Sequence, residues 1–218
     1  MPVYGKRNSP RKPVYPKHTA TIFRPELESK TRPRTTRIFS GRQWSLVSSS
    51  LARISQTFGF DLVKAIRVRV QKSEKPVIVD YGCGKGTAIT ELAQAFPNAR
   101  CFGFSEEFYD EWKENRNVEF VHESSFDFPR LFGKKKIDYA YSHYGLSKSS
   151  NIPFDVKRLL PKMKIGGKIV FNSSDLELLH DLRKIPGIQV KIVNYSKKRV
   201  IKEFHIPDSF CYVITRIE

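Results

Sequence analysis

The residues with the clearest chemical potential lie in one segment, Val77-Ile78-Val79-Asp80-Tyr81-Gly82-Cys83-Gly84-Lys85-Gly86-Thr87. An apolar run of the kind that forms a buried strand turns through three alternate glycines into a helical pattern over residues 88–96. Glycine takes up positive φ without strain and carries no Cβ, so backbone can approach a ligand closely there, and the following helix presents free N–H groups at its first turn. The segment therefore predicts a small ligand seated over the turn. A dinucleotide fingerprint reads Gly-x-Gly-x-x-Gly, whereas this one reads Asp-x-Gly-x-Gly-x-Gly. An acid at the strand end repels a pyrophosphate and suits a cationic or amino-acid-bearing ligand.

The elements that must hold this turn are legible from apolar spacing. Trp44, Val47, Leu51, Ile54 and Phe58, then Leu62, Val63, Ile66 and Val70, recur at helical intervals, and Gly59 separates two helices. After Lys75-Pro76 the pattern becomes short apolar runs alternating with helical stretches: residues 77–79, 99–104, 118–121, 137–142 and 168–171. Such alternation implies crossover connections and a parallel sheet covered on both faces. Two further strand-like runs, 189–193 and 210–217, make seven strands, the last pair forming an antiparallel hairpin across the basic connection 194–205.

The glycine segment resembles the first motif of the class I S-adenosylmethionine-dependent methyltransferases, Val-x-Asp-x-Gly-Cys-Gly-x-Gly. Three more stretches are similar to that family in order: Cys101-Phe102-Gly103-Phe104-Ser105-Glu106, Ile137-Asp138-Tyr139-Ala140-Tyr141-Ser142-His143, and the run from Leu159-Leu160 through Gly166-Gly167 to Phe171. The resemblance spans about residues 77–171 and implies a Rossmann-like α/β fold using S-adenosyl-L-methionine as cofactor. It implies that Gly82, Cys83, Gly84 and Gly86 pass beneath the methionine and ribose parts of the cofactor, and that Asp80 orients the loop and attracts the ammonium group. Glu106 is the acid nearest the ribose hydroxyls, Ser124 and Ser125 stand at the adenine positions, and Ser142 ends the fourth strand beside them. Two positions depart from the family pattern: its usual acid falls one place earlier, at Ser105, and its usual Gly-Asp pair is replaced by His122-Glu123-Ser124-Ser125-Phe126-Asp127.

Methyl transfer from a sulfonium is an in-line displacement, so alignment and water exclusion are the main tasks and no dedicated nucleophile is required. His143, just past the fourth strand, is the candidate general base for a hydroxyl or protonated amine acceptor. Ser142-His143-Tyr144-Gly145-Leu146 carries neither the Asn-Pro-Pro-Tyr type of block that grips an amide or exocyclic nitrogen nor the Pro-Cys pair of cytosine-5 enzymes. The tetrad of ribose 2′-O enzymes cannot be assigned.

The 218 residues carry 39 Lys and Arg against 22 Asp and Glu, a net charge of +17. Residues 1–42 hold eleven of the cations and only Glu26 and Glu28 as acids, with six of the 13 prolines and the aromatics Tyr4, Tyr15, Phe23 and Phe39 interleaved. Proline denies this segment long helices, so it reads as an extended basic arm ahead of a domain over residues 43–218. Cations contact phosphates and aromatic faces stack on bases, which makes RNA or a ribonucleoprotein the expected partner. A solvated tail or an organellar leader fits the same composition. No apolar run is long enough for a membrane helix, no signal-peptide core is present, and Cys83, Cys101 and Cys211 form neither a zinc pair nor a disulfide framework. The expected compartment is the cytoplasm, or an organellar matrix if residues 1–42 include a leader; no metal site is expected. Three functions are compatible with these features: an RNA methyltransferase, a non-catalytic scaffold keeping the fold in a ribosome-like assembly, and a small-molecule methyltransferase.

Overall fold

The computed structural model describes residues 21–23, 49–123, 128–133, 136–146, 149, 151–193 and 210–218. Their strands form one eight-stranded sheet: β1 (Thr21–Phe23), β2 (Val77–Tyr81), β3 (Arg100–Ser105), β4 (Val118–His122), β5 (Ile137–Ser142), β6 (Met163–Ser173), β7 (Ile188–Val193) and β8 (Phe210–Arg216). The helices are α1 (Leu51–Phe58), α2 (Leu62–Val70), α3 (Thr87–Ala95), α4 (Ile152–Leu159) and α5 (Leu178–Arg183). The seven strands expected from the apolar runs are present. The eighth, β1, comes from the basic arm and pairs antiparallel with β4; three residues are too few for a periodicity that sequence could reveal. The rest of the arm, with Trp44 and Val47, lies outside the described residues.

The strand order is β1-β4-β3-β2-β5-β6-β8-β7. β4, β3, β2, β5 and β6 run parallel, and β8 enters antiparallel between β6 and β7 as the expected hairpin. Connections leave β2 toward β3 on one side, while β5 flanks it on the other, so the strand order reverses at the C-terminal end of β2. That is where open α/β sheets form a ligand crevice. All five residues of β2 are buried, as a central strand covered on both faces must be.

One core, from Leu51 to Val70 through Ile89, Trp112, Phe120 and Tyr141, lies under α1, α2 and α3; the other packs α4 and α5 on Val79, Phe102, Ile169 and Tyr212. Local chemistry starts and stops the leading helices. Ser50 Oγ accepts from the Arg53 N–H, Gly59 ends α1 at φ 74°, and Asp61 caps α2 by accepting from the Lys64 N–H at 2.9 Å. Glu91 on α3 accepts from the Leu51 N–H at 2.7 Å and so ties α1 to the helix behind the glycine turn.

At the opposite end of the sheet Asp138, on β5, is buried and staples three elements together. It accepts from the Val77 N–H at 2.9 Å and Ser73 Oγ at 3.1 Å, and pairs with Lys164 Nζ at 2.9 Å. Asp138→Ala leaves the buried Val77 N–H without its acceptor, at about 2 kcal/mol, while Lys164, 35% exposed, keeps its bond to Ser73 Oγ at 2.7 Å. The variant is expected to lower the melting temperature by roughly 4–8 °C, read by thermal denaturation followed by circular dichroism.

Candidate active site

The glycine turn leaves β2 at the reversal point, with Gly82, Gly84 and Gly86 at φ 88°, 53° and 82°. The Gly82 and Cys83 N–H groups both donate to the Phe104 carbonyl, at 2.9 and 2.8 Å, which fastens the turn to β3. Below it the Trp112 indole N–H donates to the Gly84 carbonyl at 2.9 Å, and the Trp112 ring stacks on Phe120 at 4.9 Å and 8°. A Cβ at Gly86 would meet that Phe120 ring at 2.3 Å. Gly86 is also the N-cap of α3 and brings no capping side chain.

A second loop presses on the turn from β5. A Cβ at Gly82 would come within 2.5 Å of the Gly145 Cα, and one at Gly145 within 2.3 Å of the Tyr81 carbonyl oxygen and 2.7 Å of the Gly82 Cα. Ser142 Oγ braces this contact, donating to the Tyr81 carbonyl and accepting from the Leu146 N–H, both at 2.6 Å. The next residue but one, Tyr144, is the single non-glycine at positive φ among the described residues, at 65°; its N–H donates to Asn172 Oδ1 at 3.0 Å. Gly145 and Asn172 are site residues that the sequence reading missed. The only sign of Gly145 was a glycine just past the strand beside the glycine turn, and Asn172 had none.

Asp80 stands directly opposite Tyr141 in the parallel β2–β5 ladder, and the Tyr141 hydroxyl donates to its carboxylate at 2.9 Å. Only 3% of Asp80 is exposed. Burial pushes its pKa up to about 7 against the smaller opposing pull of the Tyr141 hydrogen bond, and the same burial pushes the Tyr141 hydroxyl well above its usual range. Cys83 packs beside them with its thiol raised by burial and by the Asp80 charge, which makes it a packing residue and not a nucleophile.

The other expected site residues fall in different environments. β3 ends at Ser105, whose Oγ accepts from the Glu107 N–H at 3.1 Å, so the place of the family's usual acid is a buried turn hydroxyl. Glu106 follows it at the surface, its backbone oxygen 3.1 Å from His122 Nε2. Ser124 and Ser125 lie outside the described residues. The Ser142 hydroxyl is occupied by backbone. His143 is buried against α1, its Nε2 3.2 Å from Thr57 Oγ1 and its ring edge-on to Phe58. Desolvation first, and the Arg53 charge second, lower its pKa to about 3. A base that weak takes no proton from a hydroxyl at neutral pH. Among the described residues no cluster of His, Cys, Asp and Glu suited to a metal occurs, and no helix is long and apolar enough to cross a membrane.

No protein-family model matches the chain, and no curated protein matches it in sequence. Solved structures do match in shape. An rRNA methylase from Streptococcus thermophilus superposes with a TM-score of 0.52 at 12% identity, covering 78% of this chain and 98% of that one. The plantazolicin methyltransferase BpumL, in complex with a pentazolic desmethylPZN analogue and S-adenosylhomocysteine, superposes at 0.56 with 14% identity over 80% and 88% of the two chains. A chain from the complex between the Haloferax volcanii Trm112 methyltransferase activator and its methyltransferase partner also gives 0.56, at 12% identity over 84% and 100%. With the parallel order around β2, the glycine turn at its end and the antiparallel β8, this chain has the fold of the class I S-adenosylmethionine-dependent methyltransferases.

Proposed function

We propose that the protein is an S-adenosylmethionine-dependent methyltransferase acting on RNA or a ribonucleoprotein. The observation that carries the methyltransferase reading is the buried Asp80 carboxylate at the root of a turn with glycine at every second position. A carboxylate nearly removed from water is costly unless a cation joins it. The cofactor's ammonium group is such a cation, and Gly82, Gly84 and Gly86 leave backbone N–H and carbonyl groups as the surface it meets. The residues present therefore fit the cofactor: Asp80 would hold its amino group, the turn and the first turn of α3 its methionine and ribose, and Glu106, beyond Ser105, its ribose hydroxyls. When bound, it supplies an electrophilic methyl group.

This chain's own residues then orient and enclose. Tyr141 holds Asp80 in place, Ser142 and Gly145 lock the β5 loop against the turn, and Trp112 with Phe120 supports it from below. His143 packs against α1, so acceptors that need strong deprotonation are disfavoured. The RNA half of the proposal is supported by the net charge of +17 and its concentration in residues 1–42. We read those residues as an RNA-contacting arm on a domain of residues 43–218. Ser105 in the place of the usual acid favours a second reading, a non-catalytic scaffold that keeps the fold and the RNA affinity.

Calorimetric titration with S-adenosylmethionine and S-adenosylhomocysteine separates these readings. The enzyme is expected to bind both at micromolar concentration and to pass labelled methyl groups to RNA. Deleting residues 1–20, which precede β1 and hold five of the arm's eleven cations, is expected to weaken RNA binding several-fold and to flatten its salt dependence, because each lost phosphate contact lowers the slope by about one. A folded protein that binds RNA and leaves both cofactor forms unbound at millimolar concentration is a scaffold.

A further inference from the structure

The N-terminal end of the sheet, remote from the glycine turn, carries a row of lysines. Ile78 stands opposite Tyr139 in the β2–β5 ladder, and carrying that register back sets Lys75 opposite Lys136. Ile137 stands opposite Met163 between β5 and β6, which sets Lys136 opposite Lys162. The three lysines therefore share one rung just ahead of three neighbouring parallel strands, a row about 10 Å long from backbone to backbone. Lys75 and Lys136 are exposed and Lys162 is half-buried.

Local chemistry holds these side chains without cancelling their charge. The short turn Leu160–Lys162 continues α4, and carbonyls at such a helix end carry partial negative charge that draws cations. Lys136 Nζ donates to the Pro161 carbonyl at 2.5 Å, and Lys162 Nζ donates in return to the Gly133 carbonyl at 2.8 Å. Arg69, in the last turn of α2, adds a fourth cation by donating to the Ile165 carbonyl at 3.0 Å. A carbonyl supplies a dipole and not a full charge, and an ammonium with one bond made keeps two donors. Lys164 is spent on Asp138, whereas Lys75, Lys136, Lys162 and Arg69 pair with no carboxylate among the described residues.

The other end of the sheet has the reverse charge on its β3 side. Residues 106–112 hold Glu106, Glu107, Asp110 and Glu111 and no cation. They lie against the glycine turn, with Glu111 paired to Lys85 and Trp112 bonded to Gly84. The two ends are separated by the six residues of β5, about 17–20 Å and so about two Debye lengths in physiological salt. A polyanion is thus drawn to the lysine row and repelled by the acids beside the turn. Lysine ammoniums meet phosphates as point charges and read no base, so the row fits a nucleic-acid backbone of any sequence.

We propose that Lys75, Lys136 and Lys162, with Arg69 beside them, form a phosphate-docking face that anchors RNA at the end of the sheet remote from the cofactor. The inference rests on the RNA reading and gives it a second contact surface besides residues 1–42. RNA held on this face reaches the glycine turn only by running the length of the strands, so the protein takes an RNA larger than the segment at the site.

The test is binding of a labelled RNA hairpin to the full-length protein, followed by fluorescence anisotropy over a series of salt concentrations. The Lys75 side chain bonds nothing among the described residues, so Lys75→Gln removes a charge and leaves the fold alone. It is expected to lower the salt slope by about one, and Lys75→Gln/Lys136→Gln/Lys162→Gln by about two to three with at least about tenfold weaker binding at low salt. Melting of Lys75→Gln and its affinity for S-adenosylhomocysteine are expected to match wild type. Lys113→Gln/Lys184→Gln is the charge control, because Asp110 and Asp181 already neutralise those lysines, and its slope is expected to stay at the wild-type value. A Lys75→Gln slope equal to wild type, or a control slope that falls as far as the triple variant's, overturns the docking face while the RNA reading stands. Poly-L-glutamate that binds as tightly as the hairpin and is lost alike in the triple variant overturns the choice of RNA and assigns the face to an acidic protein. Absence of hairpin binding by the wild type at low salt overturns both the face and the RNA reading.

Discussion

Asp80→Asn is expected to raise the melting temperature at pH 8 and to abolish measurable affinity for S-adenosylhomocysteine. The carboxyl titrates at about 7 in the folded protein, against an ordinary 3.8, because burial strips the charged form of water. The folded state therefore holds a proton between about pH 4 and 7 that the unfolded chain has released. Stability contributed by this group is present at low pH, falls as pH rises through that interval, and stays lost above it. The full loss is on the order of a few kcal/mol, roughly 6–12 °C in melting temperature for a chain of this size.

Asparagine carries no charge and still offers an oxygen to the Tyr141 hydroxyl, so the variant escapes the loss. It also cannot hold an ammonium group, and the same substitution that stabilises the apo protein removes the cofactor's anchor. Two melting curves per protein, at pH 5 and pH 8, and a titration with S-adenosylhomocysteine in buffers of different ionisation enthalpy test this. Wild-type binding should tighten through pH 7 and release a proton. An asparagine variant that is less stable at pH 8 would overturn the desolvation argument, and one that binds S-adenosylhomocysteine within threefold of wild type would remove Asp80 from the cofactor site.

Gly145→Ala is expected to damage both the fold and the site. Its Cβ would lie 2.3 Å from the Tyr81 oxygen, 2.7 Å from the Gly82 Cα and 3.0 Å from Ser142 Oγ. Two of these three are backbone atoms held in place, by the β2 strand and by the Gly82 N–H bond to Phe104, so relief requires the β5 loop to withdraw and release the Ser142 brace. Overpacking of this kind costs about 1–3 kcal/mol, with the lost brace in addition. The melting temperature should fall by roughly 5–12 °C, and affinity for S-adenosylhomocysteine at least about tenfold. Gly133→Ala is the control: its φ of 49° brings modest strain and its Cβ meets nothing within 4 Å. Comparable losses in both variants would mean that the contact between the loops does not set the effect, since Gly145, unlike Gly133, is not at positive φ.

What the sequence by itself determined was whatever is encoded locally. Residues 77–81 are apolar enough to be buried on both faces, glycines alternate where φ must be positive, and Ser50, Gly59 and Asp61 mark helix ends by their own hydrogen bonding; the strands, the hairpin and the glycine turn follow. The net charge and its concentration in residues 1–42 are likewise read from composition alone. The tertiary structure decided everything that depends on which residue stands across from which. Asp80 is a half-protonated acid at neutral pH only because the core excludes water from it, an effect larger than the opposing hydrogen bond from Tyr141 across the ladder. His143 has the residue type and position of a base, yet α1 folds over it and removes the solvation its charged form needs. Gly145 matters because the sheet carries its loop onto Gly82, 63 residues earlier in the chain, and Asn172 because two strands distant in sequence end on the same rung. Hydrogen bonding along the chain is written in neighbouring residues, whereas desolvation and close approach are properties of packing and exist only once the chain has folded.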